Sequence, residues 1–119
     1  MGTRSGDIDP SIIPYVMELE GKNASEVIDD LNKQSGVLGL SEFSNDLRDL
    51  VDKCNEGEEQ AIITKNKYVR RIVDYIAQYY VLLGGADAIV FTVGVGENNI
   101  SIRREICVKL VCLCIKVKH

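Results

Sequence analysis

The sequence predicts a mostly helical α/β protein with one βαβ unit, and three observations point there. Apolar residues recur at helical spacing through much of the 119-residue chain. The run Asp87 to Val93, DAIVFTV, is β-branched and aromatic without the charge alternation of a half-exposed strand, so it predicts a strand buried on both faces. A glycine turn, GVGEN, follows that run and leads into another helical pattern and then an apolar stretch, Leu113 to Val117, the order of a right-handed βαβ unit.

Taken in order, residues 1–10, MGTRSGDIDP, read as a loop with exposed amides, because glycines, aspartates and a closing proline all disfavour helix. Ser11 to Glu20 groups Ile12, Ile13, Tyr15, Val16 and Leu19 on one side of a short amphipathic helix that Gly21 closes. Ala24 to Lys33 repeats the pattern, with Ser25 and Glu26 as starters and Val27, Ile28 and Leu31 as its apolar face. SGVLGLSEFSND, residues 35–46, is rich in glycine and serine and reads as a connecting loop. Asn45 to Cys54 places Leu47, Leu50, Val51 and Cys54 on one stripe, turning Asp46 and Arg48 outward. The longest helix, about Glu58 to Leu83, faces Ile62, Val69, Ile72, Val73, Ile76, Tyr80 and Leu83 inward and ends at Gly84 and Gly85. Ile100 to Val111 is the helix of the βαβ unit, with Ile102, Ile106, Cys107 and Leu110 inward. Two strands do not make a stable sheet, so the pattern also predicts an incomplete one.

Composition bounds the function. A chain of this length is one domain at most. The formal charge of -4, from 14 basic and 18 acidic residues, supplies no positive field for a nucleic-acid backbone, so an anionic ligand needs local arginines. Cys54, Cys107, Cys112 and Cys114 lack the second CxxC or the histidines of a zinc site, His119 being the only histidine, and are read as free thiols with no metal bound. The opening has no signal-peptide pattern, and the longest uncharged stretch, Tyr75 to Ala86, is too short to span a bilayer. The expectation is a cytoplasmic protein with no membrane partner.

The candidate chemistry sits at three places. Gly94, Val95, Gly96, Glu97 and Asn98 lie at the carboxyl end of the predicted strand, where glycines allow close backbone approach and helix-start amides favour anions; the alternative is a tight turn capped by Asn98. Arg4 could give paired hydrogen bonds to a phosphoryl group or stand as a solvated loop arginine, and Asp7 and Asp9 could bind Mg2+ or make turns. Asp46 could take ribose hydroxyls while Arg48 stacks on a base, or the two could serve the helix dipole and solubility. No Ser-His-Asp set, HExxH or Walker lysine is present, which argues against hydrolase and metalloprotease readings.

MGTRSGDIDP, NKQSGVLGLSEFSNDLRDL and GGADAIVFTVGVGENNISIRREIC, in this order and spacing, resemble blocks of the acetate kinase family. The resemblance covers nearly the whole chain, weakest at residues 56–66 and after Val111. It implies a piece of a ribonuclease-H-like, actin-like ATPase domain from the superfamily of sugar kinases, heat-shock ATPases and actin, with residues 1–119 forming one partial C-terminal domain. The implied reaction moves a phosphoryl group between ATP and acetate, giving ADP and acetyl phosphate, with Mg2+. Arg4 matches the family's transition-state arginine. Asp46, Leu47 and Arg48 match its adenosine-contacting segment, and Gly94 to Asn98 its second nucleotide-binding stretch.

The sequence departs from the family pattern at Leu47, where an aromatic is common, at Val93, which adds bulk before the glycine turn, and near Cys114, where a glycine is usual. The resemblance further implies that the metal ligands, the catalytic aspartate and histidine and the glycine-rich phosphate loop lie outside this sequence, so the expectation is a fragment unable to turn over substrate alone. Family members are usually homodimers. Propionate kinase is the alternative within the class, and a non-catalytic adenine-nucleotide-binding or interaction module the alternative outside it.

Overall fold

The structure, a computed structural model, describes residues 1–92 and 99–113. The chain forms two compact units, Met1–Thr64 and Lys65–His119.

In the first unit α1 spans Ile12–Glu20, α2 Ala24–Lys33, α3 Gly36–Ser41 and α4 Leu47–Asn55, and the opening turns of α5, Glu59–Leu82, complete it. Before α1, the Asp9 carboxylate accepts from the Ser11 amide at 2.9 Å and its hydroxyl at 2.6 Å, an aspartate turn that leads into the helix. Those bonds lower the Asp9 pKa from its ordinary value. Gly21, at φ 64°, ends α1 in the left-handed conformation that a side chain resists. α1 packs on α2 yet buries none of its residues, leaving Tyr15 and Leu19 exposed on the face predicted to be apolar.

α2 has the bounds predicted, but its starter is Asn23: the Asn23 side chain accepts from the Glu26 amide at 3.1 Å while Glu26 accepts from the Asn23 amide at 2.8 Å, a reciprocal capping box. Val27 is buried, whereas Ile28 is exposed. The buried apolar residues of this unit are Val27, Val37, Leu50 and Ala61. Leu50, fully excluded from solvent, contributes on the order of 2 kcal/mol by burial alone. Thr64 is also buried, its hydroxyl satisfied by the Gln60 carbonyl at 2.8 Å.

Residues 35–46 were expected as an irregular loop, and the structure corrects this. Their middle is helix α3, and it ends at Glu42, the one described non-glycine residue at positive φ, 67°. Glycines and serines mask the helix in sequence because they favour turns in isolation, whereas here the Met1 and Gly2 carbonyls satisfy its opening amides.

The second unit holds the rest of α5, residues 83–92, α6 (Ile100–Lys109) and a short 3-10 turn, Val111–Leu113. α5 ends as predicted at two glycines, with φ of 71° and 118° at Gly84 and Gly85. Its inward face follows the prediction along the middle, where Val69 is buried and Ile72, Val73, Ile76 and Tyr80 are half-buried, and departs from it at the ends, where Ile62 and Leu83 are exposed. α6 buries Ile102 and Ile106 on one face, followed by Leu110. Its cap is Asn99, whose side chain accepts from the Ile102 amide at 3.1 Å. Lys65 on α5 and Glu105 on α6 pair at 2.7 Å, both largely shielded. Tyr75 and Tyr79 stack at 6.4 Å between ring centroids, with the Arg71 guanidinium 5.1 Å from the Tyr75 centroid.

No strand forms among the described residues, so the predicted βαβ unit is not supported. Residues 87–92 follow no regular element, and Val90 is 78% exposed where burial on both faces was expected. The reason is physical: an apolar run becomes a strand only when another strand satisfies its amides and carbonyls, and no described residues pair with this run. Of the second predicted strand, Leu113 ends the 3-10 turn and the remainder lies outside the described residues.

Candidate functional site

The first unit brings together two of the three predicted groups. Arg4 lies in the opening segment, which is extended against neighbouring backbone and is not a free loop. The Ser5 amide donates to the Leu31 carbonyl at 2.8 Å, and the amides of Ser35, Val37 and Leu38 donate to the carbonyls of Thr3, Met1 and Gly2. The Arg4 side chain is exposed and makes no hydrogen bond or ion pair with any described residue. A guanidinium held on a fixed backbone with its five donors open is suited to an incoming oxyanion. Gly2 sits against Asn45: a methyl group on Gly2 would lie 3.8 Å from the Asn45 carbonyl oxygen. The Arg4 segment therefore runs beside the residue that precedes Asp46.

Asp46 is the N-cap of α4. Its Oδ1 accepts from the Arg48 amide at 2.8 Å, and its carboxylate takes the Arg48 side chain in a two-point pair, Nη2 to Oδ2 at 2.6 Å and Nε to Oδ1 at 3.1 Å. The Arg48 hydrogen bonds, side chain first and backbone second, hold the Asp46 pKa down at about 2, and the same pair raises that of Arg48. The Arg48 side chain is 85% exposed, so its planar face is open to stacking while its edge is fixed by Asp46. Leu47, between them, is half-buried. The helix-capping role of Asp46 and the stacking role of Arg48 read from sequence are thus compatible, because the pair uses the edge of the guanidinium and leaves its face.

Sequence reasoning missed two serines behind this pair. Ser41 is buried and its hydroxyl donates to the Ser44 carbonyl at 2.8 Å; the Ser44 hydroxyl donates to Asp49 at 2.6 Å and accepts from the Asp46 amide at 3.0 Å. The signal was present in the Ser44, Asp46, Asp49 spacing at a helix start, which has the character of a polar capping network.

The third predicted group, Gly94, Val95, Gly96, Glu97 and Asn98, lies outside the described residues. The second unit forms a cleft of about 230 Å³, lined mainly by apolar groups including Ile72, Phe91, Ile102 and Ile106, with Tyr68 at its wall. Burial raises the Tyr68 pKa.

Among the described residues no three histidine, cysteine, aspartate or glutamate side chains converge on a point where a cation would sit, and Asp9, one of two aspartates considered for Mg2+, is engaged with Ser11. Cys54, Cys107 and Cys112 form no disulfide with one another. No described helix is long and apolar enough to cross a membrane.

Comparison with known proteins bears on all of these residues at once. The model of the Acetokinase family matches residues 1–119. Acetate kinase of Onion yellows phytoplasma (strain OY-M) is 55% identical over 117 residues, covering 98% of this chain and 28% of that protein. Acetate kinase of Bacillus subtilis (strain 168) is 50% identical over 106 residues, covering 89% of this chain and 27% of that protein. Among solved structures, acetate kinase of Porphyromonas gingivalis superposes with a TM-score of 0.89 at 42% identity, covering 95% of this chain and 28% of that one. A propionate kinase from Francisella tularensis superposes with a TM-score of 0.90 at 40% identity, covering 95% and 29%. The chain thus spans about 28% of the length of the relatives that it matches.

Proposed function

The chain belongs to the acetokinase family, and from that premise we propose that it supplies part of the adenine-nucleotide site of an acetate kinase, the enzyme class that moves a phosphoryl group between ATP and acetate. The observation that carries the reading is the Asp46–Arg48 pair at the head of α4, in the same unit as the exposed Arg4 and beside its backbone.

In this reading the Arg48 face stacks on adenine and an Asp46 oxygen accepts a ribose hydroxyl in place of one of its hydrogen bonds from Arg48, while Gly94 to Asn98 form a second nucleotide contact. Arg4 neutralises charge on the phosphoryl group as its bond to ADP breaks and its bond to the acetate carboxylate oxygen forms. Such transfer depends on positioning and electrostatics more than on covalent help from the protein, so a preset guanidinium is a sufficient contribution from this segment. Mg2+, bound with the nucleotide, would neutralise charge on the phosphate oxygens; the described residues do not form a site for it.

Calorimetric titration of the chain with ADP and ATP, with and without Mg2+, tests the reading against Arg48→Ala. Saturable binding that weakens about ten-fold or more in the variant is expected, the size of one lost stacking and charge contact. A folded chain that binds neither nucleotide would overturn the claim of a preformed half-site. Propionate as the acyl acceptor is a second reading, raised by the likeness to the propionate kinase, whose TM-score of 0.90 equals that of the acetate kinase, 0.89, to within 0.01.

A further inference from the structure

We propose that the segment from Ser35 to Ser44 is a brace that sets Arg4 and the Asp46–Arg48 pair relative to one another, with Gly36, Ser41 and Ser44 as positioning residues. What the two arms bind rests on the nucleotide-site reading above; the brace itself rests on geometry.

At its first end the segment grips the backbone of the Arg4 segment. Ser35 donates to Thr3 at 2.9 Å, Val37 to Met1 at 2.8 Å and Leu38 to Gly2 at 2.9 Å. Gly36 makes this approach possible. Its φ is +64°, and a methyl group there would lie 2.1 Å from the Met1 carbonyl oxygen and 2.7 Å from that of Arg4. Backbone oxygens cannot be approached so closely, so any side chain at 36 pushes the Arg4 segment away and also strains its own backbone.

At the other end Ser41, 3% exposed, ties the turn after α3 by donating to the Ser44 carbonyl and accepting from the Ser44 amide at 3.3 Å. Ser44 passes that order on: its hydroxyl receives the Asp46 amide and is itself anchored on Asp49. The Asp46 backbone is thereby oriented before its carboxylate takes Arg48. Between the two ends, the contact of Gly2 with Asn45 closes the circuit. A six-residue helix with no ligand-facing group of its own thus sets both arms. The distance between the arms is a property of α3 and its two hydrogen-bonded ends, and groups placed this way need no rearrangement when a ligand arrives.

The test compares the chain with Gly36→Ala, Ser44→Ala and Ser44→Thr by amide hydrogen exchange, by the NMR signal of the Arg48 Nε–H, and by calorimetry with ATP and ADP. Gly36→Ala should speed exchange at Val37 and Leu38 about ten-fold or more and reduce ATP affinity more than ADP affinity, because Arg4 faces the terminal phosphoryl group. Ser44→Ala should shift the Arg48 signal and weaken both nucleotides about ten-fold, and Ser44→Thr, which keeps the hydroxyl, should restore both readouts. A merely structural role would weaken the two nucleotides equally in both alanine variants. Unchanged exchange in Gly36→Ala together with an unchanged Arg48 signal in Ser44→Ala overturns the brace, whatever the nucleotides do. If Gly36→Ala fails to fold, the Ser44 variants decide. If the unmodified chain binds no nucleotide while the exchange and NMR signals respond as described, the brace stands and the nucleotide reading falls.

Discussion

The residue that couples structure to chemistry most closely is Asp46. Its carboxylate serves α4 through the Arg48 amide and restrains the Arg48 side chain through two further bonds, so one group sets both a helix start and the orientation of a cation. The ordinary value for the side chain is 3.8, and in the folded chain it falls to about 2. A carboxylate depressed on folding contributes stability that is fully present above its unfolded value and is lost as pH falls through the folded one. The pair should therefore persist below pH 3.8 and dissolve near pH 2. An NMR titration of the Asp46 carboxyl carbon should show that midpoint, and Arg48→Ala should return it toward the ordinary aspartate value. A midpoint near 3.8 in the unmodified chain would mean that the pair does not persist in solution.

At the scale of elements, α3 shows both what sequence reveals and what it hides. The bounds of α1, α2, α4 and α5 were legible within a residue or two, because apolar spacing and glycine stops are local signals. α3 was not, because Gly36, Gly39 and Ser41 read as turn residues and only the backbone partners Met1 and Gly2 make a helix start there. The predicted strand failed for the converse reason: DAIVFTV has the composition of a strand, but a strand is defined by its neighbours. The identities of Arg4, Asp46 and Arg48 as candidates came from ordered motifs, whereas Gly36, Ser41 and Ser44 became visible only with hydrogen bonds in hand. α3 also carries a testable strain. Glu42 ends it at φ 67°, a conformation that a side chain resists. Glu42→Gly should raise the thermal stability of the chain by about 0.5–1 kcal/mol, measured by calorimetric melting. A loss of stability would show that the Glu42 side chain makes a contact outweighing its strain.

For the whole molecule, the most exposed of the described apolar side chains fall in the second unit. In the second unit Leu82 is 80% exposed, and Val81, Leu83 and Val90 are similarly open. Apolar surface of this kind favours association. Sedimentation velocity at rising concentration should therefore show self-association of the purified chain, and Leu82→Lys combined with Val90→Lys should reduce it without altering helix content. Retention of the same oligomers in that double variant would exclude this surface as the cause.

The tyrosines of α5 have an optical consequence. The chain contains no tryptophan, and of its five tyrosines Tyr15 alone falls in the first unit, while Tyr68, Tyr75, Tyr79 and Tyr80 fall in the second. Intrinsic fluorescence is therefore dominated by one unit without any label being added. An unfolding curve followed by emission reports mainly on the α5 and α6 side, and events around Arg4 and Arg48 pass almost unseen. A tryptophan introduced at Leu47, beside the Asp46–Arg48 pair, would give the dark unit a lamp of its own.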